Sequence, residues 1–198
     1  MIKLDYRRQR QNREYYEEYA YILDFLPEGL YTPIQKRREP IAQAIGELYF
    51  TLLELTPKPG VFLEIGERVY IGKGFRQKIA HVKGKITYDD LTATAKSELP
   101  NVLEIIIRQR EAFFVDFFNK AGPLTPKLHA IELLPGIGKK TMWEILEERK
   151  KKLFDSFDDI SKRTSISDPI KLIIRRIEQE LQNDEKYYLF VPKRRREE

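Results

Sequence analysis

Near Asp89 the hydrophobic period of the chain changes, and that change restricts it to a mixed α+β architecture. Before it, apolar side chains alternate. Tyr19, Tyr21, Leu23 and Phe25 interleave with Ala20, Ile22, Asp24 and Leu26, and Pro27-Glu28-Gly29 supplies a turn. A polar loop with Pro33, Lys36-Arg37-Arg38 and Pro40 follows, and Ile45 to Leu55 is rich in aromatic and branched residues up to Pro57-Lys58-Pro59-Gly60. Val61 to Ile65 and Arg68 to Ile71 flank Gly66-Glu67, which reads as a tight hairpin. The clearest alternation sets Ala80, Val82, Gly84, Ile86 and Tyr88 against His81, Lys83, Lys85 and Thr87. One face of that strand is apolar and the other basic.

After Asp89 the period is helical. Over 101–120, Val102, Ile105, Ile106, Phe113 and Phe117 share one side, with Leu103, Ile107, Phe114 and Phe118 beside them. A stripe that wide predicts a helix held between two layers, ended by Gly122-Pro123. Thr125-Pro126 reads as an N-cap with proline at the first helical position, opening a short helix to Leu134 that carries His129. Met142, Ile145 and Leu146 mark the next helix and Phe157–Lys162 a further short one. From Asp168-Pro169, residues Ile170, Ile173, Ile174, Ile177 and Leu181 follow helical spacing. Tyr187-Tyr188-Leu189-Phe190-Val191 reads as a strand, and because a lone strand is unstable it is expected to return to the earlier sheet.

The chain has 198 residues, enough for one large domain or two small ones. Its net charge is +5, and its pI is near 9.2. The distribution is more telling: residues 66–85 hold Arg68, Lys73, Arg76, Lys78, Lys83 and Lys85 against Glu67 alone, whereas the stretch onward to Phe118 is net acidic. Concentrated positive charge favours polyanionic partners. The absence of cysteine excludes disulfides, cysteine-ligated zinc and thiol catalysis, and fits a reducing compartment. The N-terminus opens on charged residues, unlike a secretory signal, and no apolar run approaches the ~20 residues of a membrane span, so a cytoplasmic location without membrane association is expected. Residues 1–16 form a basic arm with Lys3, Arg7, Arg8, Arg10 and Arg13, and Lys193-Arg194-Arg195-Arg196 is a second cluster. Solvated tails and nucleic-acid contacts both fit these two ends.

Leu133-Leu134-Pro135-Gly136-Ile137-Gly138-Lys139-Lys140-Thr141 carries the sharpest chemistry. Gly136 and Gly138 allow backbone angles that side chains resist and leave no bulk against an approaching phosphate. Ile137 is expected to face inward and lock two helices together. The second helix begins at once, so its unpaired N–H groups and positive dipole end point at the same spot, where Lys139 and Lys140 add full charges. Such a site grips a phosphate and reads no base edge, so binding should depend on salt and little on sequence.

This segment closely resembles the helix-hairpin-helix of many DNA repair and recombination proteins, through Leu134, Pro135, Gly136, Ile137, Gly138, Lys140, Thr141, Ile145 and Leu146. Met142 and Trp143 depart from that pattern, and packing of Trp143 against a neighbour is favoured over exposure for stacking. Phe157–Lys162, the turn Thr164–Asp168 and the helix from Pro169 are similar to a second copy, yet Ser165-Ile166-Ser167-Asp168-Pro169 lacks both glycines and Asp168 would repel phosphate; a plain helical pair capped by Asp168 fits the same residues. The strand half resembles an OB-like barrel with a basic outer face at Lys83 and Lys85 and a Lys73-Gly74-Phe75-Arg76 loop, and OB barrels hold single strands by basic grooves and aromatic stacking. A basic but idle sheet fits equally. Over nearly the whole chain, the order of barrel, long helix, helix-hairpin-helix and closing strand resembles an archaeal family of uncharacterised proteins expected to bind nucleic acid.

The expected fold is therefore α+β: a basic arm over 1–16, an OB-like β-domain over 17–100, a helical helix-hairpin-helix domain over 101–185, and a closing strand with basic tail over 186–198. The expected function is non-catalytic binding of the DNA or RNA phosphate backbone. Gly136, Ile137, Gly138, Lys139, Lys140 and Thr141 form the primary site, and Lys73, Arg76, Lys78, Lys83 and Lys85 an auxiliary track. The competing class is a protein–protein scaffold within a nucleoprotein complex, in which the hairpin only joins helices. Catalysis is the weaker alternative: Gly66 to Gly74 lacks phosphate-loop spacing, and His81 and His129 have no neighbours at metal-ligand spacing. Asp89-Asp90 and Asp158-Asp159 could serve a nuclease, and Asp168 a glycosylase, but each aspartate pair precedes a helical stretch where capping is the common role. No cofactor or metal is expected.

Overall fold

The computed structural model describes residues 15–29, 39–182 and 185–193. The basic arm through residue 14, Lys36-Arg37-Arg38 and the arginines after Lys193 lie outside the described residues.

Five antiparallel strands, β1 (Tyr19–Leu26), β2 (Ile41–Gly46), β3 (Leu52–Pro57), β4 (Arg68–Tyr70) and β5 (Ile79–Lys85), form one sheet in the order β4-β1-β2-β3-β5. Register shifts between Ile22 and Asp24 and along the β3–β5 pair add local twist and curl the sheet. Alternation in β1 gives the sheet two buried faces. Ala20 and Ile22 join Ala44, Leu55, Val69 and Ile79 inside the curl, whereas Tyr21 and Leu23 join Ile45 and Leu52 against the helices. Exposure alternates along β5, with His81, Lys83 and Lys85 exposed and Ala80, Val82 and Gly84 half-buried, but the register shifts break the expected single apolar face: Ile79 and Val82 pack inside the curl, whereas Ile86 and Tyr88 pack on the helix side. Among the described residues no ladder joins β4 to β5. Lys58 N–H donates to the Lys78 carbonyl at 2.8 Å and prolongs the β3–β5 pair, and across the seam Lys78 pairs with Glu67.

Helix α1 (Ala93–Gln109) begins where Thr92 Oγ1 accepts the Ala95 N–H at 3.0 Å. Buried Gln43 fixes that start to β2, accepting the Thr92 N–H and donating to the Asp90 carbonyl, both at 2.8 Å. The helix lies between β1 and α5 (Pro169–Gln182), as its wide apolar stripe requires. Its bounds differ from the expectation. It starts well before residue 101, runs through Pro100, and breaks at Arg110 (φ −111, ψ 27) before α2 (Glu111–Lys120).

Three other expectations are corrected. Val61 to Ile65 is no strand, so Gly66 (φ +79) turns the chain into β4 without a hairpin. Thr125-Pro126 opens no helix. Pro123–Thr125 (β6) and Leu128–His129 (β7) form a small ribbon around it, and only one 3₁₀ turn, Ala130–Leu133, follows. Residues 187–191 do not return to the sheet as a strand. Their N–H groups find the Glu180 side chain instead, which accepts from Leu189, Phe190 and Val191 at 2.6, 2.9 and 2.8 Å. Phe190 then packs on Phe114 and Phe117. A buried carboxylate replaces the missing ladder.

Candidate functional site

The hairpin is set by the helix that follows it. Helix α3 (Lys139–Lys151) is preceded by Gly138 at φ −92 and ψ 179, and no side chain caps its first turn. The Lys139, Lys140 and Thr141 N–H groups precede the first intrahelical bond, Met142 N–H to the Gly138 carbonyl at 2.9 Å. Gly136 takes φ +88, the left-handed region that disfavours a Cβ, and this turns the chain so that Ile137 N–H reaches the Leu134 carbonyl at 3.1 Å. The Ile137 side chain is buried in one cluster with Ile131, Leu134, Met142 and Ile145.

The outer side of the turn is open. No atom lies within 4 Å of where a Cβ would stand on Gly136 or Gly138. Lys139 and Lys140 are exposed beside it, and among the described residues neither pairs with a carboxylate. Thr141 is half-buried, its Oγ1 3.5 Å from Ser165 Oγ, and the Ser165 hydroxyl donates to Glu144 at 2.5 Å. The Thr164–Asp168 turn between α4 (Phe157–Arg163) and α5 thus sits against the first turns of α3. Asp168 caps α5, accepting the Lys171 N–H at 2.9 Å.

Two residues near the hairpin depart from expectation. Trp143 is 57% exposed rather than packed, because the buried positions of α3 are Met142 and Ile145. His129 lies on no helix. It is buried at the end of β7, and its Nδ1 accepts the Ile131 N–H at 3.2 Å while Glu132 accepts the His129 N–H at 2.8 Å. Burial, with the nearby Arg149 charge, pushes the imidazole pKa below its ordinary value against the pull of Glu132.

The base of α3 is held by guanidinium groups. Arg149 donates to the Phe118 and Ala121 carbonyls, both at 2.9 Å, and burial lowers its pKa. Arg163 donates to the Glu148 and Lys152 carbonyls, both at 2.7 Å, and Asn119 closes two bonds with the Phe154 backbone.

The other five cations lie in the sheet half, on β5 and the loop before it. Lys83 pairs with Glu54 at 3.2 Å and Lys78 with Glu67, so part of that charge is neutralised within the sheet. Lys85 is exposed, Lys73 stands 5.3 Å from the Tyr16 ring, and Arg76 Nε donates to the Gly72 carbonyl at 2.8 Å. Sequence reasoning passed over Lys58, whose ammonium lies 4.5 Å from the Phe75 ring; its Pro-Lys-Pro-Gly context carried only a turn signal. Asp90 accepts from Thr87, Asp158 and Asp159 lie in the first turn of α4 behind the Ser156 cap, and Asp159 pairs with Arg163. Among the described residues no group of three or more His, Asp or Glu is placed to hold a metal ion. No helix among them is long and apolar enough to cross a membrane.

Residues 16–192 match the family described as a protein of unknown function, DUF655. The chain belongs to the DUF655 family. It is 51% identical over 178 residues to the uncharacterized protein MJ0038 of Methanocaldococcus jannaschii, covering 89% of this chain and 80% of that one. It is also similar to the crystal structure of Af1531 from Archaeoglobus fulgidus, a DUF655 member, with a TM-score of 0.83 and 50% identity over 89% of this chain and all of that one. These DUF655 relatives support the archaeal resemblance and the mixed α+β fold.

Proposed function

We propose that this protein binds DNA or RNA through backbone phosphates, without catalysis and with little regard to sequence. In this reading the 3₁₀ turn, the Pro135–Gly138 turn and α3 constitute a helix-hairpin-helix, and the curled sheet is an OB-like barrel. The observation that carries it is Gly138. Its backbone angles are ones any residue adopts and the space around it is empty, so folding does not require glycine there. Phosphate access does. An uncapped helix start, an open glycine face and two exposed lysines that pair with no carboxylate among the described residues lie in one stretch of chain, which suits an oxyanion.

Titration of labelled duplex DNA, single-stranded DNA and structured RNA at two salt concentrations tests this. The expected result is binding whose affinity falls as salt rises. Trp143, the sole tryptophan, stands exposed on the second turn of α3 and supplies an unlabelled readout, since binding should change its emission. No salt-sensitive binding to any of the three would overturn the proposal. The scaffold reading, which the exposed Trp143 and Leu153 side chains on and just after α3 favour, would then take its place.

A further inference from the structure

The loop between β4 and β5 crosses the open seam of the sheet and is braced at Ile71, Gly72, Gly74 and Arg76. Ile71 and Gly72 N–H groups both donate to the Glu18 carbonyl, at 2.8 and 3.1 Å. The Tyr70 ring lies against Gly72 so closely that a Cβ there would stand 2.5 Å from the tyrosine oxygen, and that oxygen accepts the Gly74 N–H at 3.1 Å. Tyr19 packs edge-on against Tyr70 with ring centroids 5.2 Å apart, so the ring is itself held. Arg76 closes the loop by donating to the Gly72 carbonyl at 2.8 Å.

This braced loop presents Phe75 with 82% of its surface exposed. Single exposed apolar residues are ordinary on protein surfaces. Phe75 differs in its company. Lys58 stands over its ring at 4.5 Å, Lys73 stands over the exposed ring of Tyr16 at 5.3 Å, and residues 72–78 contain Lys73, Arg76 and Lys78 with no acid. With so much of the side chain exposed, the ring face away from Lys58 is open. An aromatic face and ammonium groups therefore occur together on this loop and the segments beside it.

We propose that this loop is a stacking platform for unpaired nucleotides, with Phe75 receiving a base face and Lys58, Lys73 and Arg76 the adjacent phosphates. The inference rests on the nucleic-acid reading above and adds a preference for single strands. Bases within a duplex are stacked on each other and offer no free face, so the aromatic ring acts only on an unpaired strand. An acidic peptide would use the cations and leave the ring idle. A membrane surface would call for neighbouring apolar side chains, where this loop has glycine, lysine and glutamine.

The test compares labelled oligothymidine, oligouridine and a DNA duplex of matched length on the full chain and on Phe75→Ala and Phe75→Tyr. Phe75→Ala should lose about 5- to 100-fold in affinity for at least one single strand while its duplex affinity stays within about twofold. Phe75→Tyr, which keeps an aromatic face, should retain single-strand binding. Thermal melting of Phe75→Ala should match the parent, because the ring supports no core. An unchanged single-strand affinity in Phe75→Ala, or an equal loss on duplex and single strand, would overturn the platform. Binding of duplex alone would overturn it and leave the hairpin reading standing. Binding of no nucleic acid would overturn both.

Discussion

Gly136 and Gly138 differ in what the backbone asks of them. Gly136 occupies φ +88 with no neighbour near a Cβ, so Gly136→Ala meets strain alone and should cost about 1–2 kcal/mol in chemical denaturation. Gly138 has ordinary angles but is the N-cap, where alanine ranks below glycine; the lower unfolded-state entropy of alanine offsets this, so Gly138→Ala should stay within about 1 kcal/mol of the parent in denaturation. Both glycines were legible in the sequence; the difference between them was not, because it lies in φ. His129 supplies the pH dependence. Its Nδ1 accepts a backbone N–H, and burial followed by the Arg149 charge holds its folded pKa below the ordinary value. The unfolded chain takes up a proton below pH ~6.5 while the folded one resists. Its stabilising contribution is therefore present above that pH and is lost as pH falls toward the depressed folded value. Thermal melts across pH should show the parent losing stability relative to His129→Asn below that point, since asparagine caps without titrating.

At the scale of elements, legibility followed the local signal. Helix α5 was plain because Ile170, Ile173, Ile174, Ile177 and Leu181 form one buried stripe. The expected stripe began at 101, just after Pro100, whereas α1 starts at Ala93 and runs through that proline. The helix survives its lost N–H because Leu99, Val102, Leu103, Ile106 and Ile107 are buried on and just beyond that turn. The Thr125-Pro126 ribbon was misread because threonine followed by proline serves a turn as well as an N-cap, and here Thr125 Oγ1 accepts the Lys127 N–H. The Tyr187–Val191 segment was misread because its partner is a side chain remote from any strand. Glu180 is fully buried, paired with Arg176 at 2.7 Å, and holds three consecutive N–H groups. Glu180→Ala leaves those three donors without a partner and takes from Arg176 its closest carboxylate, leaving the guanidinium only the Leu133 and Tyr187 carbonyls and the more distant Glu185, so urea denaturation should report a loss of about 3–5 kcal/mol.

Across the whole molecule, one core joins the outer face of the sheet to the helices, with Tyr21, Leu23, Ile45, Phe50 and Leu52 in the same cluster as α1, α2, α3 and α5. The hairpin packs on that core through Ile137, and the β4–β5 loop is tied to it through the pairing of β4 with β1. The change of period at Asp89 foretold the two kinds of element; the shared core depended on contacts between residues far apart in sequence. The central claim is that the Gly138 face receives phosphate, and Gly138→Asp separates that role from folding. Aspartate is a better N-cap than glycine, so the variant should melt at or slightly above the parent temperature. Its carboxylate would occupy and repel the phosphate position, so low-salt titration with duplex DNA and structured RNA should show at least about tenfold weaker binding. A fully folded Gly138→Asp that binds as tightly as the parent would contradict the account.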